Sequence, residues 1–401
     1  MAKLIESLLF HFFFSVGTLA EHLRQLTGIA RSESTLSERR QALRWDFFAQ
    51  FLRQVLRPLA QPNLHASAFW RSWRLVAWDG TQFSLTNTPQ IKNKTRKARA
   101  RRQRSAWAKI TAVVLLELGL HNPLAAAIGW QGQSEYFLTQ QLAGLLPAQA
   151  LLLADRLTGC PSMLFALYGV ALSVGSHFLV RVRKNLKVKH LRRLADGSRL
   201  GLVEVHDPRP FRDVLTPFVL REIQVQASRR GRRPERVRLW TTLLDPLEAP
   251  ALELAKLYTQ RWEQELYFRQ MKLELRKTEI LQSHTLETAA QEVAMLLLAT
   301  SLLARERTRA AAGQLPVLSI SFVKCLELLR PLWLILTLAG HLLTPSMRTE
   351  VSNVIYSEIR RCLKPKRRHR SCTRAVRQPI KGWPRLLQTK YTQGQWKYRI
   401  V

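Results

Sequence analysis

Two aspartates end strongly apolar runs in this chain: Asp79 closes RLVAWD (74–79) and Asp155 closes LLLAD (151–155). An acid at the end of a buried strand loses hydration, which is costly unless a cation compensates. The bland alternative is a turn cap, a frequent role for Asp before Gly, as in Asp79-Gly80. Two such acids, on strands that the element order makes neighbours, favour a bound divalent cation, for which carboxylate oxygens are natural ligands. A third carboxylate comes from a predicted helix over 256–276, KLYTQRWEQELYFRQMKLELR. At roughly 100° per residue, Tyr258, Arg261, Glu265 and Lys272 fall within an arc of about 60°. That face joins one carboxylate to two cations and a phenol, a set suited to a metal-bound acid flanked by phosphate contacts. Arg261 and Glu265, at i and i+4, would also pair on an ordinary solvated face. Glu263 and Glu274 lie off the arc.

The charge balance says what substrate such a site would meet. The 401 residues carry 63 Lys and Arg against 28 Asp and Glu, a formal charge of +35. A field of that size points to a polyanion, so nucleic acid is the expected partner and small neutral substrates are not. Phosphodiester chemistry needs an activated water or hydroxyl and a stabilised leaving oxyanion, and two divalent cations about 3.5–4 Å apart supply both. The phosphate-cradling pattern G-x-x-x-x-G-K-[ST] is absent, which disfavours an ATP-driven enzyme. Cys160, Cys325, Cys362 and Cys372 form no C-x-x-C pair, against a disulfide framework or a zinc ribbon. Cys362, His369 and Cys372 offer only three ligands in a basic segment.

The elements that must position these residues follow from periodicity. Residues 1–70 read as a helical N-terminal domain, possibly DNA-binding, in which the apolar run 8–20 is a core-facing helix. A capping box at Thr35–Glu38 opens a further helical segment there. Strands are predicted at 74–78 extending into 82–85, then at 110–118, 124–130, 151–155 and 177–184, with helices at 134–146 and 162–173. The order strand, strand, strand, helix, strand, helix, strand is that of a ribonuclease-H-like α/β fold: a mixed five-stranded sheet flanked by helices. The first part of this core spans 71–184. A β-rich insertion follows at 185–249, the signature helix completes the core at 250–310, and 311–401 is a helical C-terminal region with a basic tail. The apolar stretches 295–304 and 331–343 are shorter than the ~20 residues that span a bilayer, so a soluble, cytoplasmic protein is expected with no membrane partner.

The spacing Y-x2-R-x3-E-x6-K at Tyr258, Arg261, Glu265 and Lys272 resembles the signature of bacterial insertion-sequence DDE transposases of the insertion-sequence-four type. WDGTQFSLTNTP around Asp79, LLLADR around Asp155, TTLLD before the helix and QEVAMLLLATSLLAR after it are similar to the same family. The resemblance covers about residues 70–310; Leu157 stands where the family commonly has Gly. It implies Asp79, Asp155 and Glu265 as catalytic ligands of two Mg²⁺ ions, with Mn²⁺ as a substitute, and Tyr258, Arg261 and Lys272 as DNA phosphate contacts. It further offers Trp240, from the insertion, as an aromatic that accepts a flipped base. The implied partners are transposon terminal inverted repeats and target DNA, in a homodimeric, nucleoid-associated synaptic complex. The basic runs 92–104, 228–238 and 364–370 would neutralise phosphates. The expected activity is cleavage of transposon ends and joining of the 3′-hydroxyls to target DNA. The rivals are a ribonuclease-H-like nuclease without strand transfer and an inactivated transposase acting as a DNA-binding protein.

Overall fold

The computed structural model describes residues 2–14, 17–95, 107–129, 133–206, 215–229, 232–276, 278, 280–365 and 397–400. The chain divides into two compact units. The first comprises Met1–Leu153, Gly169–Ser176 and Arg261–Lys364; the second comprises Ala154–Tyr168, His177–Gln260 and Pro365–Val401.

The first unit begins with four helices, α1 (Ala2–His11), α2 (Leu19–Thr27), α3 (Glu33–Gln41) and α4 (Trp45–Val55). The apolar run 8–20 is therefore split: α1 ends at His11, and Gly17, at φ +116°, redirects the chain into α2. The reciprocal capping box is at Thr18 and Glu21. The one expected at Thr35–Glu38 is not formed, because Ser32 caps α3 by accepting the Thr35 N–H at 3.2 Å and leaves Thr35 inside the first turn.

Strands β1 (Phe69–Trp70), β2 (Trp73–Ser84), β3 (Lys109–Glu117), β4 (Asn122–Gly129) and β5 (Ala150–Ala154) follow, with α5 (Pro89–Lys94) and α6 (Glu135–Ala143) between them. They form a mixed sheet in the order β4-β3-β2-β5. β2 runs antiparallel to β3, with Ala77 opposite Leu116 and Asp79 opposite Val114. It runs parallel to β5, with Ala77 opposite Leu153. β5 is buried throughout, as expected of an unbroken apolar strand covered on both faces. The carboxylate of the fully buried Glu117 ties the linker to this sheet: it pairs with Arg74 and accepts the N–H groups of Leu59 and Ala60, each at 3.1 Å.

After α7 (Pro161–Ser173), the second unit is antiparallel: β6 (His177–Arg181), β7 (Lys189–Arg193), β8 (Arg199–His206), β9 (Leu215–Arg229) and β10 (Arg232–Thr241) lie in the order β6-β10-β9-β8-β7. Strands β7 to β10 fall within 185–249. This unit also holds α8 (Ala251–Leu257). Buried Arg221, paired with Asp196, donates to the Ala249 carbonyl at 2.6 Å and ties the end of the insertion to β9.

The first unit resumes with α9 (Trp262–Arg269), a π-helical segment Gln270–Arg276, α10 (Leu286–Ala311), α11 (Phe322–Leu338) and α12 (Pro345–Arg361). α10 is long and apolar enough to cross a membrane, but its most apolar window is 83% buried inside the protein and packs against α1, α4, α12 and β4. It is a core helix. α11 and α12 lie within 311–401, the segment read from the sequence as a helical C-terminal region. β11 (Lys397–Ile400) pairs antiparallel with β9.

Candidate active site

Asp79 lies in the middle of β2 rather than at its end. The ladder continues through Asp79 opposite Val114 and Gly80 opposite Val113, so Asp-Gly makes no turn here. The burial pattern changes at this point, from four buried residues (75–78) to half-exposed Asp79 and Gly80. Asp79 Oδ1 accepts the Gly80 N–H at 2.8 Å, and Glu135 Oε1, from the first turn of α6, accepts the same N–H at 3.1 Å. A Cβ at position 80 would overlap the Glu135 carboxyl group, so a larger residue there would displace that side chain.

The expected single helix is wound in three ways. Tyr258–Arg261 is 3₁₀, Trp262–Arg269 is α, and Gln270–Arg276 is π. The 100° spacing therefore holds only between Arg261 and Glu265. Arg261 Nη2 donates to Glu265 Oε1 at 2.8 Å while Nη1 lies 3.4 Å from Asp79 Oδ2. One guanidinium thus contacts both acids. Lys272, on the π segment, instead reaches the Gln82 carbonyl at 2.7 Å and lies over the Phe83 ring. Burial, reinforced by Arg276 and Lys109, lowers its pKa to about 8.

In the second unit, Asp155 Oδ1 accepts the Leu157 N–H at 2.8 Å, a short-range turn bond. Tyr258 Oη donates to the carbonyl of Ala154, next to Asp155, at 3.1 Å. Trp240 is 1% exposed, and its Nε1–H donates to Glu222 Oε2 at 2.9 Å. The expectation that it offers a face to an extruded base is corrected: β10 turns the ring inward, where a buried carboxylate satisfies its one polar atom.

Among the described residues, no group of three or more His, Cys, Asp or Glu side chains forms a ready metal site. The Asp79–Arg261–Glu265 cluster nevertheless suits a hard cation. Both acids are part-exposed and offer oxygen donors, and Arg261 holds the place between them that such a cation would take from it. Of the basic runs, residues 96–104, 230–231 and 366–370 lie outside the described residues, as do His369 and Cys372.

Sequence reasoning missed Glu135, Gln264 and His121. Gln264, fully buried, donates to the Val114 carbonyl at 3.2 Å. His121 bonds Glu263 and Gln270, each at 2.9 Å. Glu135 and Gln264 carry no one-dimensional signal, since their partners lie 55 and 150 positions away. His121 sits in the turn His121-Asn122-Pro123, which reads only as a strand break.

An acid on a central strand facing a helix-borne Arg–Glu pair agrees with the match of residues 71–302 to the transposase DDE domain family. That match spans more than half of the chain, and the protein belongs to this family. Over 258 residues it is 26% identical to the transposase InsG for insertion sequence element IS4 of Escherichia coli (strain K12), covering 63% of this chain. The alignment spans 57% of that relative's length. Among solved structures, the piggyBac transposase synaptic complex with hairpin DNA aligns over 91% of this chain and 77% of its own. The TM-score is 0.42 at 8% identity.

Proposed function

We propose that the protein is a DNA transposase that cleaves the ends of a mobile element and joins the freed 3′-hydroxyls to target DNA by in-line attack. The observation that carries this reading is the Arg261 bridge between Asp79 and Glu265, inside the segment 71–302 that matches the family. Asp79, Asp155 and Glu265 would hold Mg²⁺ or Mn²⁺. Two such cations, when bound, lower the cost of generating the attacking oxygen and of releasing the leaving one. The antiparallel β2–β3–β4 meander followed by parallel β5 supports a ribonuclease-H-like core, and Ala77 lies opposite Leu153, each two residues before one of the aspartates.

The chain's own side chains supply binding and orientation. Arg261 releases its carboxylates and turns its fork onto a phosphate, for which a guanidinium is well matched. Lys272 and Tyr258 take further backbone oxygens of the terminal nucleotides. The flanking helices of 1–70 contact DNA, the basic segments add affinity without sequence information, and two copies act together so that both element ends are processed in the bacterial cytoplasm.

The test is incubation of the protein with duplexes taken from either side of its gene, Mg²⁺ and a supercoiled target plasmid. Joined molecules are expected. Cleaved ends without joined molecules would replace strand transfer by simple nuclease action; binding without cleavage would leave a DNA-binding protein.

A further inference from the structure

Glu265 is carried by a segment that is 3₁₀ before α9 and π-helical after it. Such windings are less regular than an α-helix and cluster at functional sites, so the placement of Glu265 depends on what the neighbouring residues grip. Both of its preceding neighbours are held by the β3–β4 pair. Gln264 Nε2 donates to the carbonyl of Val114, the residue directly opposite Asp79 in the sheet. Glu263 Oε2 lies 2.9 Å from Nε2 of His121, whose Nδ1 lies 2.9 Å from the amide of Gln270, the first π-helical residue. One ring thus clasps the segment on both sides of Glu265.

His121 occupies a left-handed backbone position, φ +53°, in the turn from β3 to β4, which aims its ring at α9. The ring is enclosed, and burial keeps it neutral despite the pull of Glu263. A neutral imidazole has one N–H, which must donate from Nε2, because an ionised carboxylate can only accept. Nδ1 then accepts from the Gln270 amide, whose oxygen and nitrogen are interchangeable in shape. Each partner thereby has one bond of defined direction, which fixes rotation as well as distance.

Resting on the transposase reading above, we infer that His121 and Gln264 are positioning residues: they fix the turn that carries Glu265 against the strand pair that carries Asp79, where the two carboxylates would hold a cation. Neither touches the reacting atoms. Their effect passes through the strand that pairs with Asp79 and the helix that carries Glu265.

The test uses the full chain, duplex DNA from either side of its gene, and Mn²⁺. Gln264→Met keeps the volume and removes the donor; His121→Ala removes both bonds; Glu263→Gln keeps an acceptor for the ring N–H. For Gln264→Met and His121→Ala, kcat for end cleavage is expected to fall 10–100-fold with KM for DNA unchanged, and Mn²⁺ binding measured by calorimetry without DNA to weaken about tenfold. Glu263→Gln is expected to stay close to the parent protein in both. Melting curves establish that each variant is folded. Wild-type kcat and Mn²⁺ affinity in a folded Gln264→Met would overturn the inference, even if His121→Ala fails to fold. If the parent cleaves no better than Glu265→Ala, the transposase reading fails instead, and calorimetry still decides whether the tethers act on the cation site.

Discussion

Replacing Arg261 by Ala removes the positive group that bridges Asp79 and Glu265, and its consequences for stability, metal binding and activity have different signs. Arg261 is 17% exposed, Asp79 21% and Glu265 38%, with contacts of 3.4 and 2.8 Å. Two unit charges 4 Å apart interact by about 4 kcal/mol at an effective dielectric near 20. Part-exposure and the lost hydration of the pair reduce this to ~1–2 kcal/mol for the bridge. The metal-free variant should be destabilised by about that amount. Because a divalent cation competes with the guanidinium for the same oxygens, the variant should bind Mn²⁺ about 5–30 times more tightly, the same ~1–2 kcal/mol expressed as an equilibrium constant. Cleavage should nevertheless fall, since the phosphate contact is gone. Calorimetric titration of Mn²⁺ into both proteins, with urea unfolding with and without Mn²⁺, measures these terms. Equal or weaker Mn²⁺ binding by Arg261→Ala would refute the reasoning, as would a stability deficit that Mn²⁺ does not narrow.

Three further outcomes follow from individual contacts. Gly80→Ala should destabilise the first unit and impair cleavage because its Cβ overlaps Glu135, and a second change, Glu135→Ala, should recover much of the loss; additive losses in the double variant would contradict this. Burial, then His22 and Arg40, against the opposing pull of Glu33, lower the pKa of His11 to about 4 from the usual 6.5. The unfolded chain therefore binds that proton first as pH falls, and stability present above pH 6.5 is lost toward pH 4. This contributes about 2 kcal/mol between pH 7 and 5, which His11→Gln should remove in urea titrations at the two pH values. Trp240→Phe should leave the Glu222 carboxylate without its indole donor and lower stability by about 1–3 kcal/mol, with DNA affinity of the folded protein unchanged; a selective loss of DNA binding would restore a nucleic-acid role for the ring.

What the sequence makes legible depends on how local the determinant is. β3 and β5 are nearly continuous apolar runs, and their existence follows from composition alone. Arg261 and Glu265 pair one turn apart, which a helical period captures. Lys272 illustrates the limit: its place depends on a π segment whose hydrogen bonding no residue type announces. Asp79-Gly80 reads as a turn because Asp-Gly favours one, yet nine register pairs with β3 carry the strand through it, and the glycine serves a carboxylate 55 positions away. Thr35 fails as a cap for a similar reason, since Ser32 competes for the same helix start and gains a full extra turn. The surroundings of Trp240 and His121 are set by tertiary pairing, which leaves no trace in spacing.

The central claim is that Asp79, Asp155 and Glu265 carry the chemistry while the excess of Lys and Arg carries affinity. Cleavage of gene-flanking duplexes by Asp79→Ala, Asp155→Ala and Glu265→Ala, with binding to the same duplexes measured alongside, tests that division most directly. Each variant should lose cleavage and bind DNA as tightly as the parent, or slightly more tightly for want of one negative charge. A folded variant that still cleaves, or one that loses DNA binding together with cleavage, would contradict it.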